Sequence, residues 1–121
     1  MAKHNELGKV GEEIAIANLR KLGYEILSTN HMIGKAELDI IAVDGNFVVF
    51  VEVKTRATDW HENPIEAVNN KKRKMMIAAA DTYIIERNLP YESRFDIISI
   101  IKGSNNHSLE HVTDAFNGLT G

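Results

Sequence analysis

One stretch constrains this chain more than any other: Ala36 to Arg56, AELDIIAVDGNFVVFVEVKTR. β-Branched and aromatic residues dominate two runs, Glu37 to Val43 and Phe47 to Thr55, with Asp44-Gly45-Asn46 between them. That pattern predicts two strands joined as a hairpin. A two-residue turn at Gly45-Asn46 pairs Asp44 with Phe47, and the register of the whole hairpin follows. Asp39 then lies across from Glu52, and Glu37 across from Lys54. Cross-strand partners share a face, so Glu37, Asp39, Glu52 and Lys54 are expected on one side, continued inward by Ile41, Val43, Val48 and Phe50. Leu38, Ile40, Ala42, Val49, Val51 and Val53 are expected on the other, as continuous core. A three-residue loop would put Asp39 and Glu52 on opposite faces.

Two carboxylates opposed on a sheet destabilise it by up to roughly 1 kcal/mol, and something should offset that repulsion. A hard divalent cation does so: Mg²⁺ takes one or two carboxylates, keeps several waters and leaves positions for phosphate oxygens. Lys54, on the same face as Glu52, is placed to touch a water or a phosphate as a compact positive charge. The constellation suits phosphodiester hydrolysis.

The rest of the chain supplies one core and no more. At 121 residues it is expected to be a single domain over 1–121. A formal net charge of −3 gives no global footprint for nucleic acid, so any binding must use a local patch. The absence of cysteine excludes a disulfide framework and Cys-ligated zinc. The N-terminus has no apolar signal core, and no run approaches the roughly 18 apolar residues of a membrane span, so no membrane partner and a cytoplasmic location are expected.

Around the hairpin, apolar spacing predicts a helix from Glu6 to Leu22, closed by Gly23, with Gly8 and Gly11 inside its apolar arc as signs of close approach to a sheet. Glu12 falls at the edge of that arc and Glu13 on the solvated side; taken alone, both read as surface glutamates. Tyr24 to Thr29 reads as a strand and Asn30 to Lys35 as a loop. Glu37 reads either as a further site carboxylate or as the ion-pair partner of Lys54, with the second favoured. Beyond the hairpin, Trp60 in the loop Ala57 to Glu62 is open to two readings, a base-stacking platform or a cover for the core edge. Asn63-Pro64-x-Glu66 starts a helix that runs to about Arg87 with a break near Asn69-Asn70. Its buried side is Val68, Met75, Met76, Ala79, Ala80, Tyr83 and Ile84. Lys71-Lys72-Arg73-Lys74 is the densest positive cluster, either a solvated helix face or a patch for a nucleic-acid backbone. Arg94 to Ile101 is a strand whose Arg94 and Asp96 pair with each other or cap the sheet, and Leu109 to Thr113 is an edge strand. His107 and His111 have no third partner that would make them metal ligands. Residues 114–121 form a tail expected to dock through Ala115 and Phe116.

Asp39, twelve intervening residues and then Glu52-Val53-Lys54 resemble the D…ExK core of the PD-(D/E)XK, restriction-endonuclease-like superfamily. Gly11-Glu12-x-x-Ala15, Gly23-Tyr24, Glu37-Leu38-Asp39-Ile40-Ile41, Phe50-Val51-Glu52-Val53-Lys54-x-Arg56, Ala67-Val68, Lys72, Ala80, Arg94-Phe95-Asp96 and Ala115-Phe116 extend the likeness to the YraN-like family of small predicted endonucleases. The family usually has Gly where this chain has Ala36, a departure that touches no ligand.

The resemblance implies an α/β fold with an αβββαβ core, a mixed sheet flanked by helices. It also implies a metal-dependent endonuclease: Mg²⁺ or Mn²⁺ held by Asp39 and Glu52 with Glu12 as a further ligand, and Lys54 catalytic beside them. Arg56 and the lysine cluster, Lys71, Lys72, Arg73 and Lys74, would hold the backbone, with Lys72 matching the family's lysine. DNA is expected rather than RNA. Fold-level similarity to archaeal Holliday-junction resolvases points to branched or structured DNA and a homodimer. Two alternatives stand beside this reading: a non-catalytic nucleic-acid-binding module of the same fold, and a protein-interaction domain in which the charged face is a salt-bridge network.

Overall fold

The computed structural model describes residues 6–57 and 63–118. Trp60 and His61 therefore lie outside the described residues, as does the end of the tail, 119–121. Among the described residues the chain runs α1 (Glu6–Lys21), β1 (Glu25–Ile33), β2 (Ala36–Asp44), β3 (Phe47–Ala57), a short 3-10 helix (Pro64–Ala67), α2 (Asn70–Arg87), β4 (Glu92–Lys102) and β5 (His107–Phe116). This is the expected αβββαβ order with β5 added. The five strands form one sheet in the order β1-β2-β3-β4-β5. Only the β3–β4 pair is parallel, and the α2 segment makes the crossover that such a pair requires.

The helices cover opposite faces. Ala15 and Leu19 of α1 pack on Ile40, Ala42, Val49, Val51, Ile98 and Ile100. On the other side Met76, Ala79, Ala80 and Tyr83 of α2 meet Leu38, Ile41, Val48, Phe50, Phe95 and Ile97. Local chemistry fixes the ends. Gly23 follows α1 with φ +95°, and the Tyr24 amide bonds back to the Leu19 carbonyl at 3.0 Å. Asn63 caps the 3-10 helix by accepting from the Ile65 amide, and Asn69 caps α2 by accepting from the Lys72 amide at 2.9 Å. The break expected near Asn69-Asn70 is thus the junction of two separately capped helices.

The central turn has the expected two residues. Gly45 takes φ +59° while Asn46 keeps a negative φ, the pattern of a II′ turn, and Asp44 pairs with Phe47.

Four expectations need correction. β1 does not stop at Thr29 but runs through Asn30 to Ile33 before turning at Gly34. Asn30 sits in the left-handed region at φ +50°, and there the strand changes which layer its inward side chains face. A register shift already falls between Ile26 and Ser28, and across Asn30 the Ser28 hydroxyl lies 3.1 Å from His31 Nδ1, two side chains an odd number apart on one face; His31 meets Tyr83 of α2 edge-on at 5.2 Å and Ile33 packs in the same layer. β2 turns with it, so Leu38 leaves the face of Ile40 and Ala42 and packs with Ile41 and Phe50. Met75 is exposed rather than buried, because the buried stripe of α2 follows Met76, Ala79, Ala80 and Tyr83. The last strand is longer than Leu109 to Thr113: Ala115 and Phe116 belong to β5 itself, and Phe116 stacks on Phe95 at 5.0 Å.

Candidate active site

The β2–β3 ladder ends at the Ile40–Val51 pair. One step further, the Asp39 side chain replaces a backbone acceptor: its Oδ2 takes the Val53 N–H at 2.9 Å. The strands part here, and the gap opens into a cleft of about 340 Å³ lined by Leu7, Gly8 and Glu12 of α1, Glu37 and Asp39 of β2, Glu52 to Arg56 of β3, and Lys72 of α2. At about 30 Å³ per water, such a cleft has room for a hydrated cation and a phosphate group. Glu37, Asp39, Glu52 and Lys54 do share one hollow. They meet where the ladder has ended and β2 breaks its alternation between Leu38 and Ile40, rather than as the directly opposed cross-strand pairs expected.

Glu52 is only 2% exposed. Its Oε2 lies 3.7 Å from the Lys54 ammonium and 3.3 Å from that of Lys72. Its Oε1 is buried and has no hydrogen-bond partner among the described residues. Burial, and then the charge of Asp39, push the Glu52 carboxyl up to about 7, against the pull of Lys72 and Lys54. Burial also raises Asp39, opposed by the Val53 amide and by Lys72. Lys72 is therefore the cation that bears on both acids, and the two lysines together do not fully offset the burial of the pair.

Glu12 lines the same cleft and accepts a hydrogen bond from Asn30 Nδ2 at 3.1 Å. Among the described residues no group of three or more acidic, His or Cys side chains is gathered as a metal cage. The donor set is two carboxylates, which suits a hard cation that keeps several waters. An orphaned buried carboxylate oxygen in the same cleft as a second raised carboxyl is what a divalent cation would satisfy, so the residues present fit one. Lys54 has Glu52 as a close partner, and the ladder does not place Glu37 opposite it.

The basic cluster divides. Lys72 reaches into the cleft, whereas Lys71 and Lys74 are exposed and do not line it. Arg73 turns inward: its Nε donates to the Val68 carbonyl at 2.8 Å, its Nη2 donates to that of Ile65, and its guanidinium lies over Phe116. It ties the 3-10 helix to the sheet. Arg56 lines the cleft wall beyond Lys54.

A second polar cluster lies on the α1 side of the sheet, outside the cleft. Arg94 grips Asp96 through Nε and Nη2 at 3.0 Å each and also reaches Asp44 at 2.9 Å and the Tyr24 hydroxyl at 2.6 Å. His111 Nε2 and the Asp114 amide complete the shell of Asp96 at 2.8 and 3.0 Å. Burial alone would raise Asp96, yet the bonds from His111, Arg94 and the Asp114 amide outweigh it and hold the carboxyl below its ordinary value. Arg94 and Asp96 do pair, but as the centre of a network, buried at Asp96 and open to solvent at Asp44, that locks β4 to β5, to Tyr24 just before β1 and to the end of β2. The sequence showed only the pair: its other members are scattered from Tyr24 to Asp114, and no local pattern joins them.

No helix among the described residues is long and apolar enough to cross a membrane. The model of a family described as "Uncharacterised protein family UPF0102" matches residues 11–100. A UPF0102 protein of Christiangramia forsetii is 48% identical over 116 residues, covering 96% of this chain and 98% of its own. A relative from Flavobacterium psychrophilum is 44% identical over the same share of both chains. One from Bacteroides thetaiotaomicron is also 44% identical, over 96% of each chain.

Proposed function

The chain belongs to the UPF0102 family, and from that footing we propose that it is a metal-dependent endonuclease of the PD-(D/E)XK kind, acting on DNA. The observation that carries this reading is the buried Glu52 with its unpartnered Oε1, in a cleft that Asp39 and Lys54 also line. An unmet buried acceptor is destabilising by about 1–3 kcal/mol, and a cation shared with Asp39 would meet it.

Asp39 and Glu52 would hold Mg²⁺ or Mn²⁺, with Glu12 facing the same space. The cation would supply Lewis-acid polarisation of the phosphodiester and a more acidic water at neutral pH. The chain's own residues do the rest. Asp39 is held in place by the Val53 amide, so its orientation does not depend on the ligand. Lys54 holds a water by hydrogen bond and steadies the charge that grows on the phosphoryl oxygens. Arg56 and Lys72 in the cleft bind the backbone, with the exposed Lys71 and Lys74 adding positive charge on α2. Branched DNA and a homodimer follow by analogy with junction resolvases of similar fold.

Purified protein is assayed with Mg²⁺ and Mn²⁺ on single-stranded, duplex and four-way-junction DNA, beside Asp39→Ala and Lys54→Ala. Cleavage that requires the cation and drops by about 10²-fold or more in both variants is expected. Cation-independent binding that neither variant alters would support a non-catalytic nucleic-acid module instead. Neither binding nor cleavage would leave the protein-interaction reading.

A further inference from the structure

Lys72 stands out among the cleft's cations because it does not belong to the sheet. Lys54 sits on β3 two residues from Glu52, so its place beside that carboxylate is built into the strand. Lys72 comes across from the first turn of α2, and its ammonium is nonetheless the nearer one, 3.3 Å against 3.7 Å. Its backbone is fixed, since its amide bonds the Asn69 cap. Its side chain is 36% exposed and can swing outward. Both carboxylates feel its charge, which is the role a bridging divalent cation would take over.

We propose that Lys72 is the placeholder for the cation: it neutralises Glu52 in the cation-free protein, and cation binding releases it to a DNA phosphate. The proposal rests on the endonuclease reading and specifies its order of assembly. A hard dication at Asp39 and Glu52 makes a nearby ammonium redundant and repels it. The freed lysine, on a helix whose Lys71 and Lys74 already face solvent, adds to the backbone-binding edge at the moment the site becomes competent. Cation and DNA then strengthen one another's binding through this side chain, and the gain is equal in both directions.

The test separates placeholder from bulk charge. Uptake of Mn²⁺ alone is measured calorimetrically for the parent, Lys72→Met, Lys72→Arg and Lys71→Met, with folding checked by thermal melts. DNA affinity is measured by fluorescence anisotropy at saturating Ca²⁺. Lys72→Met is expected to take up Mn²⁺ about fivefold more tightly, the factor a half-exposed ion pair of this kind is worth, while holding DNA more weakly. Lys72→Arg should follow the parent, and Lys71→Met should change Mn²⁺ uptake by less than about twofold. A Lys72→Met protein that takes up Mn²⁺ no more tightly, or that gains no more than Lys71→Met does, overturns the proposal. So does one that holds DNA as well as the parent. A parent that takes up no Mn²⁺ removes the metal reading along with it, whereas normal uptake with indifferent variants removes the placeholder alone.

Discussion

At the scale of single residues, the site is a place where the fold accepts instability. Glu52 in the folded chain releases its proton near 7, against an ordinary value of 4.5. The sign follows from that direction. Below about 4.5 the group is neutral folded or unfolded and exacts nothing. As pH rises toward 7 the unfolded chain ionises first, so stability falls, and above 7 the full penalty of a buried carboxylate remains. Glu52→Gln should therefore melt roughly 10 °C higher than the parent at pH 8 in the presence of chelator, and at nearly the same temperature at pH 4.5. Added Mg²⁺ should raise the parent's melting temperature at pH 8 and leave that of Glu52→Gln unchanged. Thermal melts across this range check both. Asp39, Glu52 and Lys54 were legible in the sequence because turn chemistry and strand alternation are local rules. Lys72 on Glu52 and Asn30 on Glu12 were not, because each contact joins different layers through the tertiary fold.

At the scale of elements, the cleft depends on how closely α1 lies on β3. A Cβ added to Gly11 would stand 1.7 Å from Thr55 Oγ1 and 2.8 Å from Thr55 Cβ, so turning the threonine hydroxyl away does not make room. Gly11→Ala should push the helix off the strand, destabilise by about 1–3 kcal/mol and carry Glu12 away from the cleft. Thr55→Ala in the same chain should recover part of that loss, since the shorter contact disappears and the Cβ contact stays. Urea unfolding of the two single variants and the double measures this coupling. Close approach was readable from glycine in an apolar helical arc, although the arc did not reveal the partner. Helix ends were readable too, from Asn63 and Gly23, whereas Asn69 marked a break without showing that it caps a separate helix. The extent of β1 was not: STNHM carries few β-branched residues, and the left-handed Asn30 that twists the strand into the second layer looks in sequence like a loop residue.

At the scale of the whole molecule, the sheet's single parallel pairing sets an order of events. β2 and β3 meet across two residues at Gly45-Asn46, a closure that takes microseconds, whereas Phe47 can meet Glu92 only after the whole crossover has been threaded. Pulse-labelled amide exchange during refolding should find β2–β3 amides protected before those of β4, and simultaneous protection would contradict this. On the ribosome the consequence is sharper. The acidic hairpin leaves the exit tunnel ahead of the helix whose lysine balances it, so the nascent chain spends its synthesis with β3 bare along one side. Any chaperone that guards this protein during translation has that interval, between the emergence of residue 57 and that of residue 92, in which to act.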